Sequence, residues 1–194
     1  MGEERIAVVF DCNIYITCAE LTGVPFSFRQ LMNRKPADLE DRGRQLALLS
    51  GYAGGVSLAR YSVFWSGHII DEVRKHLRND SFWSIGEAQE YTDTIQTQLI
   101  DYSGGRTLNR FGEGWGGLPD HEDRMVYETA LQLAIDDPTL FVLLVSADRD
   151  FIRMALARCN RGNGSERRVM PLDVERFLQI GGCFRHFQRL PPSL

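Results

Sequence analysis

The sequence predicts an α/β domain in which a mostly parallel sheet lies between two layers of helices, a three-layer α/β/α sandwich. Three observations carry this. Apolar runs such as "RIAVVF" and "TLFVLLVSAD" are continuous rather than alternating, as strands covered on both faces are. Segments of helical periodicity separate those runs, and strands alternating with helices build parallel sheets. The one glycine-rich stretch is too short for a domain linker, and 194 residues with 43% hydrophobic and 25% charged side chains suit one domain with a proper core.

In chain order, "RIAVVF" predicts the first strand, with a helix soon after it within "IYITCAELTG". "ADLEDRGRQLALLSGYAGG" predicts a helix that Gly54 and Gly55 stop. "ARYSVFWS" predicts the second strand, "GHIIDEVRKHLR" the helix behind it and "SIGEAQEYTDTIQTQLIDY" a further helix. "SGGRTLNRFGEGWGGLP" reads as a loop. The helix "HEDRMVYETALQLAIDD", the strand "TLFVLLVSAD", the helix "DFIRMALARC", the short strand "RRVMPLD" and the short helix "VERFLQI" follow, ahead of a tail.

Composition narrows the function. No apolar run reaches the roughly 20 residues that a membrane helix needs, and "MGEERIAVV" carries two acids and no cleavable apolar region, so a cytoplasmic protein without a membrane partner is expected. Cys12, Cys18, Cys159 and Cys183 lack the paired spacing of a zinc site, and reduced thiols are expected. The net charge of -4 argues against binding nucleic acid through overall charge. A metal-dependent nuclease remains compatible with it, because bound cations neutralise clustered catalytic acids. The only lysines are Lys35 and Lys75; arginine suits phosphate through its bidentate fork, although genome composition explains such a bias equally well.

The acids are placed by the fold. Ligands of an open parallel sheet bind beyond the carboxyl ends of its strands, where Asp11 ends the first strand and Asp148 ends "TLFVLLVSAD", with Asp150 two positions on. In "GHIIDEVRKHL" the apolar stripe is Ile69, Val73 and Leu77; Glu72 falls inside it, whereas Asp71, Arg74, Lys75 and Arg78 fall outside. Asp123 lies one turn ahead of the stripe Val126, Tyr127, Ala130, Leu131 and Ala134, near the start of its helix. Each acid also has an ordinary structural reading. Asp11 suits an Asx turn with Asn13, Asp120 suits the helix cap ahead of Asp123, Asp150 suits a cap for "DFIRMAL", and Glu72 suits a buried pair with an arginine. Together they converge on one edge of one sheet. Carboxylates crowded there repel one another, and Mg²⁺ or Mn²⁺ relieves that repulsion through oxygen ligands.

These motifs resemble the PIN-domain nucleases: "VVFDCN" at the first strand, "SGHIIDEVRKHL" around the central acid, "DHEDRMVYETA" around the third and "FVLLVSADRDFI" at the last, with "RVMPLDVERFL" like the family's closing strand and helix. They span essentially the whole chain in the family's order, as one PIN-like domain over residues 1–194 with longer segments at about 21–55 and 79–118. The resemblance implies an acidic quartet of Asp11, Glu72, Asp123 and Asp148 as catalytic metal ligands, with Asp150 and Asp120 accessory and Asn13 and Ser146 the polar positions beside the metals; Ser146 stands where threonine is common. It implies Mg²⁺- or Mn²⁺-dependent cleavage of RNA and, from the VapC-type toxins among its members, a co-encoded antitoxin partner and a homodimer. The long segments depart from the compact toxin subgroup.

Arg106, Arg110, Phe111 and Trp115 lie in the glycine-rich loop just ahead of Asp123. Arginines interleaved with aromatics suit a single RNA strand, and equally suit a loop packed back on the body. His68, His76 and His121 read as surface or packing residues, His121 being the one placed to touch substrate. A non-catalytic PIN-like module that binds RNA or protein is the alternative, which the intact quartet disfavours. A phosphotransfer domain is disfavoured because neither lysine stands near a strand end.

Overall fold

The structure is a computed structural model that describes residues 5–57, 60–109, 120–162 and 164–180. These residues contain the expected three-layer sandwich, around a sheet in which the five described strands are all parallel. The strands are β1 (Arg5–Phe10), β2 (Ser62–Ser66), β3 (Thr107–Leu108), β4 (Leu140–Ser146) and β5 (Val169–Asp173). Their spatial order is β3-β2-β1-β4-β5. Ala7 to Phe10 are fully buried, as a continuous apolar run in a doubly covered sheet should be.

Among the described residues eight α-helices surround the sheet: α1 (Cys12–Thr22), α2 (Phe28–Asn33), α3 (Leu39–Tyr52), α4 (Gly67–Asn79), α5 (Ile85–Ile95), α6 (His121–Asp136), α7 (Arg149–Arg161) and α8 (Val174–Ile180). α6 and α7 touch through Tyr127, whose hydroxyl lies 3.6 Å from the Cys159 sulfur. On the other side Phe10 packs edge-on against Tyr15 of α1 and Phe177 of α8. α4 packs on α1 and α5 and also reaches α6, which brings two helix starts to one corner of the sheet. Its stripe Ile69, Val73 and Leu77 is fully buried, and Val126, Tyr127, Ala130, Leu131 and Ala134 of α6 are buried as the periodicity predicts. No helix among the described residues is long and apolar enough to cross a membrane. Cys12, Cys18 and Cys159 are buried free thiols.

Three local expectations are corrected. Gly54 and Gly55 do not stop the helix: α3 runs into a π-helical turn at Ala53–Ser57. Both glycines serve close packing instead, since a Cβ on Gly54 would run into the Tyr61 ring and one on Gly55 would come within 2.8 Å of Ser103. The glycine-rich loop contains a strand, β3, whose Thr107 pairs with Trp65 of β2. The Trp65 indole N–H fixes it by donating to Thr107 Oγ1 at 3.0 Å and to Gln96 Oε1 at 2.9 Å. The short helix α2 has no counterpart in the expected elements; Ser27 caps it by accepting from the Gln30 N–H.

α5 begins on a reciprocal cap: Ser84 Oγ accepts from the Glu87 N–H at 3.2 Å, and the Glu87 carboxylate accepts from the Ser84 N–H at 2.7 Å. Ser84→Ala should therefore lower stability by about 1 kcal/mol, read as a lower urea midpoint at unchanged slope. An unchanged midpoint would mean that the exposed cap contributes nothing.

Candidate metal centre

The strand order changes direction between β1 and β4: β2 and β3 extend one way from β1, and β4 and β5 the other. In parallel sheets such a switch point opens a crevice beyond the strand ends. Asp11 leaves β1 at this point, and Ser146, Ala147 and Asp148 leave β4 beside it.

Asp11 is 5% exposed and occupies the N-cap position of α1, yet its side chain does not cap the helix. The carboxylate is held by the Ser146 hydroxyl, which donates to Oδ2 at 2.7 Å, with further hydrogen bonds from the Cys12 N–H and the Asn13 side chain. Burial nevertheless pushes its pKa above the usual carboxylate range, with a further push from the charge of Asp148. Ser146, fully buried, also accepts from the Asp148 N–H at 2.9 Å. One hydroxyl thus ties the ends of β1 and β4 together, and an Asx turn of Asp11 with Asn13 is not needed to account for it.

Asp148 is the N-cap of α7, its Oδ1 accepting from the N–H groups of Asp150 at 2.8 Å and Phe151 at 3.1 Å. The cap expected of Asp150 therefore belongs to Asp148, because the helix starts at Arg149, two residues before the start that an Asp150 cap implies. Asp150 is exposed and pairs with Arg153 at 3.2 Å. Asp120 caps α6, accepting from the N–H groups of Glu122 at 2.7 Å and Asp123 at 3.3 Å. Asp123 follows in the first turn, and its pKa is pushed up to about 6, first by burial and then by the charges of Asp11, Asp120, Asp148 and Glu122. Asp11, Asp123 and Asp148 therefore share one electrostatic neighbourhood. Among the described residues no lysine or arginine forms an ion pair with any of the three.

Glu72 stands in a second group alongside. Its side chain is 14% exposed, and the Lys75 ammonium donates to its Oε2 at 2.7 Å and to Glu122 Oε1 at 3.3 Å. Burial works against the Glu72 carboxylate, but Lys75 outweighs it and holds the pKa below the usual range. The inward Glu has a lysine rather than an arginine as its partner. One ligand atom from each of Glu72, His76 and Glu122 lies within 4.8 Å of the others, close enough to hold a metal ion. Burial pushes the Cys12 thiol up, and the charges of Asp11, Glu72 and Glu122 add to it.

Sequence reasoning missed Glu122 and His76 in this role. His76 was legible as the residue one turn after Glu72 on the same helix face; Glu122 was not, since its approach depends on how α4 meets α6. Arg106 pairs with Asp136 at 3.8 Å, in the last turn of α6, whereas the acids gather at its first turn, roughly 20 Å away along the axis. Arg110, Phe111 and Trp115 lie outside the described residues. A groove of about 1120 Å³ opens beyond Asp148, between α3 and α8, with Leu39, Arg42, Leu46, Arg149 and Leu178 in its walls; none of the acids of either group lines it.

Fold and geometry together define a parallel α/β domain with Asp11 and Asp148 at the switch point of its sheet, and the group whose ligand atoms lie within 4.8 Å of one another among the described residues is Glu72, His76 and Glu122. Comparison of the chain with protein-family models, curated proteins and solved structures finds no match.

Proposed function

We propose that this protein is a metal-dependent endoribonuclease of the PIN type, hydrolysing RNA phosphodiester bonds with Mg²⁺ or Mn²⁺ held by Asp11, Asp123 and Asp148. The observation that carries the reading is that Asp11 and Asp148 leave adjacent strands at the switch point and raise the pKa of Asp123 by their charge, with no lysine or arginine among the described residues paired to any of the three. An all-oxygen donor set suits hard divalent ions, and the upward push on Asp11 and Asp123 is the strain that such an ion would relieve. When bound, the ion would acidify a water and neutralise charge on the phosphate.

The chain's own residues do the positioning. Ser146, Asn13 and the Cys12 N–H hold Asp11 against rotation, and the first turn of α7 holds Asp148. Arg42 and Arg149, in the groove beside Asp148, would take the phosphates of the flanking strand. By the same resemblance the enzyme would be the toxic member of a pair with a co-encoded inhibitor. One observation favours the alternative, a non-catalytic RNA- or protein-binding module: Glu72, the fourth acid of the quartet, already has Lys75 as its counter-ion.

Cleavage of a labelled single-stranded RNA separates the two. The enzyme reading expects cuts in Mg²⁺ or Mn²⁺ that stop with EDTA. Equal cleavage in EDTA, or none in either ion, would remove it.

A further inference from the structure

The donors around Glu72 differ in kind from the three aspartates. We infer that Glu72, His76 and Glu122 form a separate site for a first-row transition-metal ion such as Zn²⁺ or Co²⁺, and that the Lys75 ammonium fills this site until the ion displaces it. This goes beyond the nuclease reading and does not depend on it.

The stretch "HIIDEVRKH" sets His68, Glu72 and His76 four residues apart, so the three occupy one face of α4. The start of α6 brings Glu122 to Glu72 and His76, with ligand atoms of the three within 4.8 Å of one another. Lys75 Nζ, 2.7 Å from one carboxylate and 3.3 Å from the other, already sits where a cation neutralises both. An ammonium is a single charge bound only by hydrogen bonds, and it rides on a flexible, half-exposed stem. A divalent ion with an imidazole ligand can replace it.

Two features point to a nitrogen-seeking ion rather than Mg²⁺. His76 Nδ1 is 2.7 Å from Asp80 Oδ2, and a carboxylate on one ring nitrogen fixes the proton there and leaves the lone pair of Nε2 for a metal. His68 is 9% exposed, and its buried Nε2 has no hydrogen-bond partner. A buried ring nitrogen without a partner is costly. The charged groups that act on His68 include Glu72, His121 and Glu122, and its ring lies edge-on to His121 at 5.7 Å between centroids. The unpartnered nitrogen belongs to the residue one helical turn ahead of Glu72 on the same face of α4, outside the group of three whose ligand atoms lie within 4.8 Å of one another. Imidazole with carboxylate suits zinc, cobalt or nickel, whereas magnesium favours oxygen alone.

The test titrates the full chain with Co²⁺ in a large excess of Mg²⁺, which occupies the aspartates, and follows the visible absorption of cobalt. One equivalent should bind with a spectrum of mixed nitrogen and oxygen ligation. His76→Ala should weaken binding at least tenfold, and Lys75→Met should tighten it at least tenfold by removing the internal competitor. Asp11→Asn should leave the cobalt affinity unchanged, which separates this site from the nuclease reading: loss of RNA cleavage with an intact cobalt spectrum sinks neither. Both α4 side chains are solvent-accessible, and circular dichroism checks that the variants fold; His76→Gln serves if His76→Ala does not. Absence of Co²⁺ binding in Lys75→Met, equal binding in both His76 variants, or a sulfur-to-cobalt band assigning the ion to Cys12 would each overturn the proposal.

Discussion

Asp11→Asn should slow RNA cleavage by roughly a hundred- to a thousandfold, the loss that follows removal of one preorganised charge-stabilising group, while leaving the protein at least as stable. The two halves of this expectation come from the same geometry. Asparagine has the shape of aspartate, and its carbonyl oxygen can still accept from Ser146. What it removes is a charge that burial and Asp148 both disfavour. A carboxylate placed for packing alone would lose stability when changed and have no activity to lose. A carboxylate kept in an unfavourable place for its chemistry should do the reverse. Initial rates at saturating Mn²⁺ and a thermal melt without metal measure both halves. A wild-type rate would remove Asp11 from the metal centre, and a large drop in melting temperature would make it a structural residue.

How much of this was legible in the sequence follows from the range of the forces involved. β1 and β4 were readable because strands covered on both faces are continuous apolar runs, and the inward stripe of α4 because helical periodicity is local. The cap at Asp120 was equally local. β3 was not readable: its two residues pair because Trp65 of a distant strand donates to Thr107, and nothing within "SGGRTLNRF" announces that. Gly54 and Gly55 looked like a helix stop because that is the usual local meaning of paired glycines, yet their partners, Tyr61 and Ser103, lie elsewhere in the chain.

The candidate site divides in the same way. Strand ends locate Asp11 and Asp148, and the start of α6 locates Asp123. Periodicity also turned Glu72 inward, where its side chain is only 14% exposed. Its counter-ion was harder to find, since Lys75 lies outside the buried stripe and reaches back along the helix by three residues. Glu122 meets Lys75 across 47 residues of sequence, through the contact of α4 with α6. The chain thus specifies which face carries charge, while the packing of two helices decides which charges meet.

The second large effect expected is on stability, through Asp123. Its folded pKa of about 6 stands above the ordinary aspartate value of 3.8. A carboxyl raised in this way contributes stability that is fully present below the unfolded pKa and is lost as pH rises through the folded one. Without metal, wild type should therefore lose stability relative to Asp123→Asn between about pH 4 and pH 6, and the gap should then stay constant. Asp123 is only partly buried, so solvent screening reduces the full conversion to on the order of 1–2 kcal/mol. Other carboxyls move the opposite way, Glu72 and Asp137 among them, so the difference between the two proteins, not the wild-type curve, isolates the effect. Divalent ions should then reverse it. At a hundred times its dissociation constant, Mg²⁺ or Mn²⁺ binding only the folded state adds about 2.7 kcal/mol, a rise of roughly 5–10 °C in melting temperature for a domain of this size. The ion competes with the proton on Asp123, so the rise should be large at pH 7.5, small at pH 5 and reduced throughout in Asp123→Asn. Melting temperatures of the two proteins across that range, with and without Mn²⁺, measure it. A metal-induced rise that is the same at both pH values, or the same in both proteins, would place the ion away from Asp123 and leave the crowding of the three aspartates without a chemical purpose.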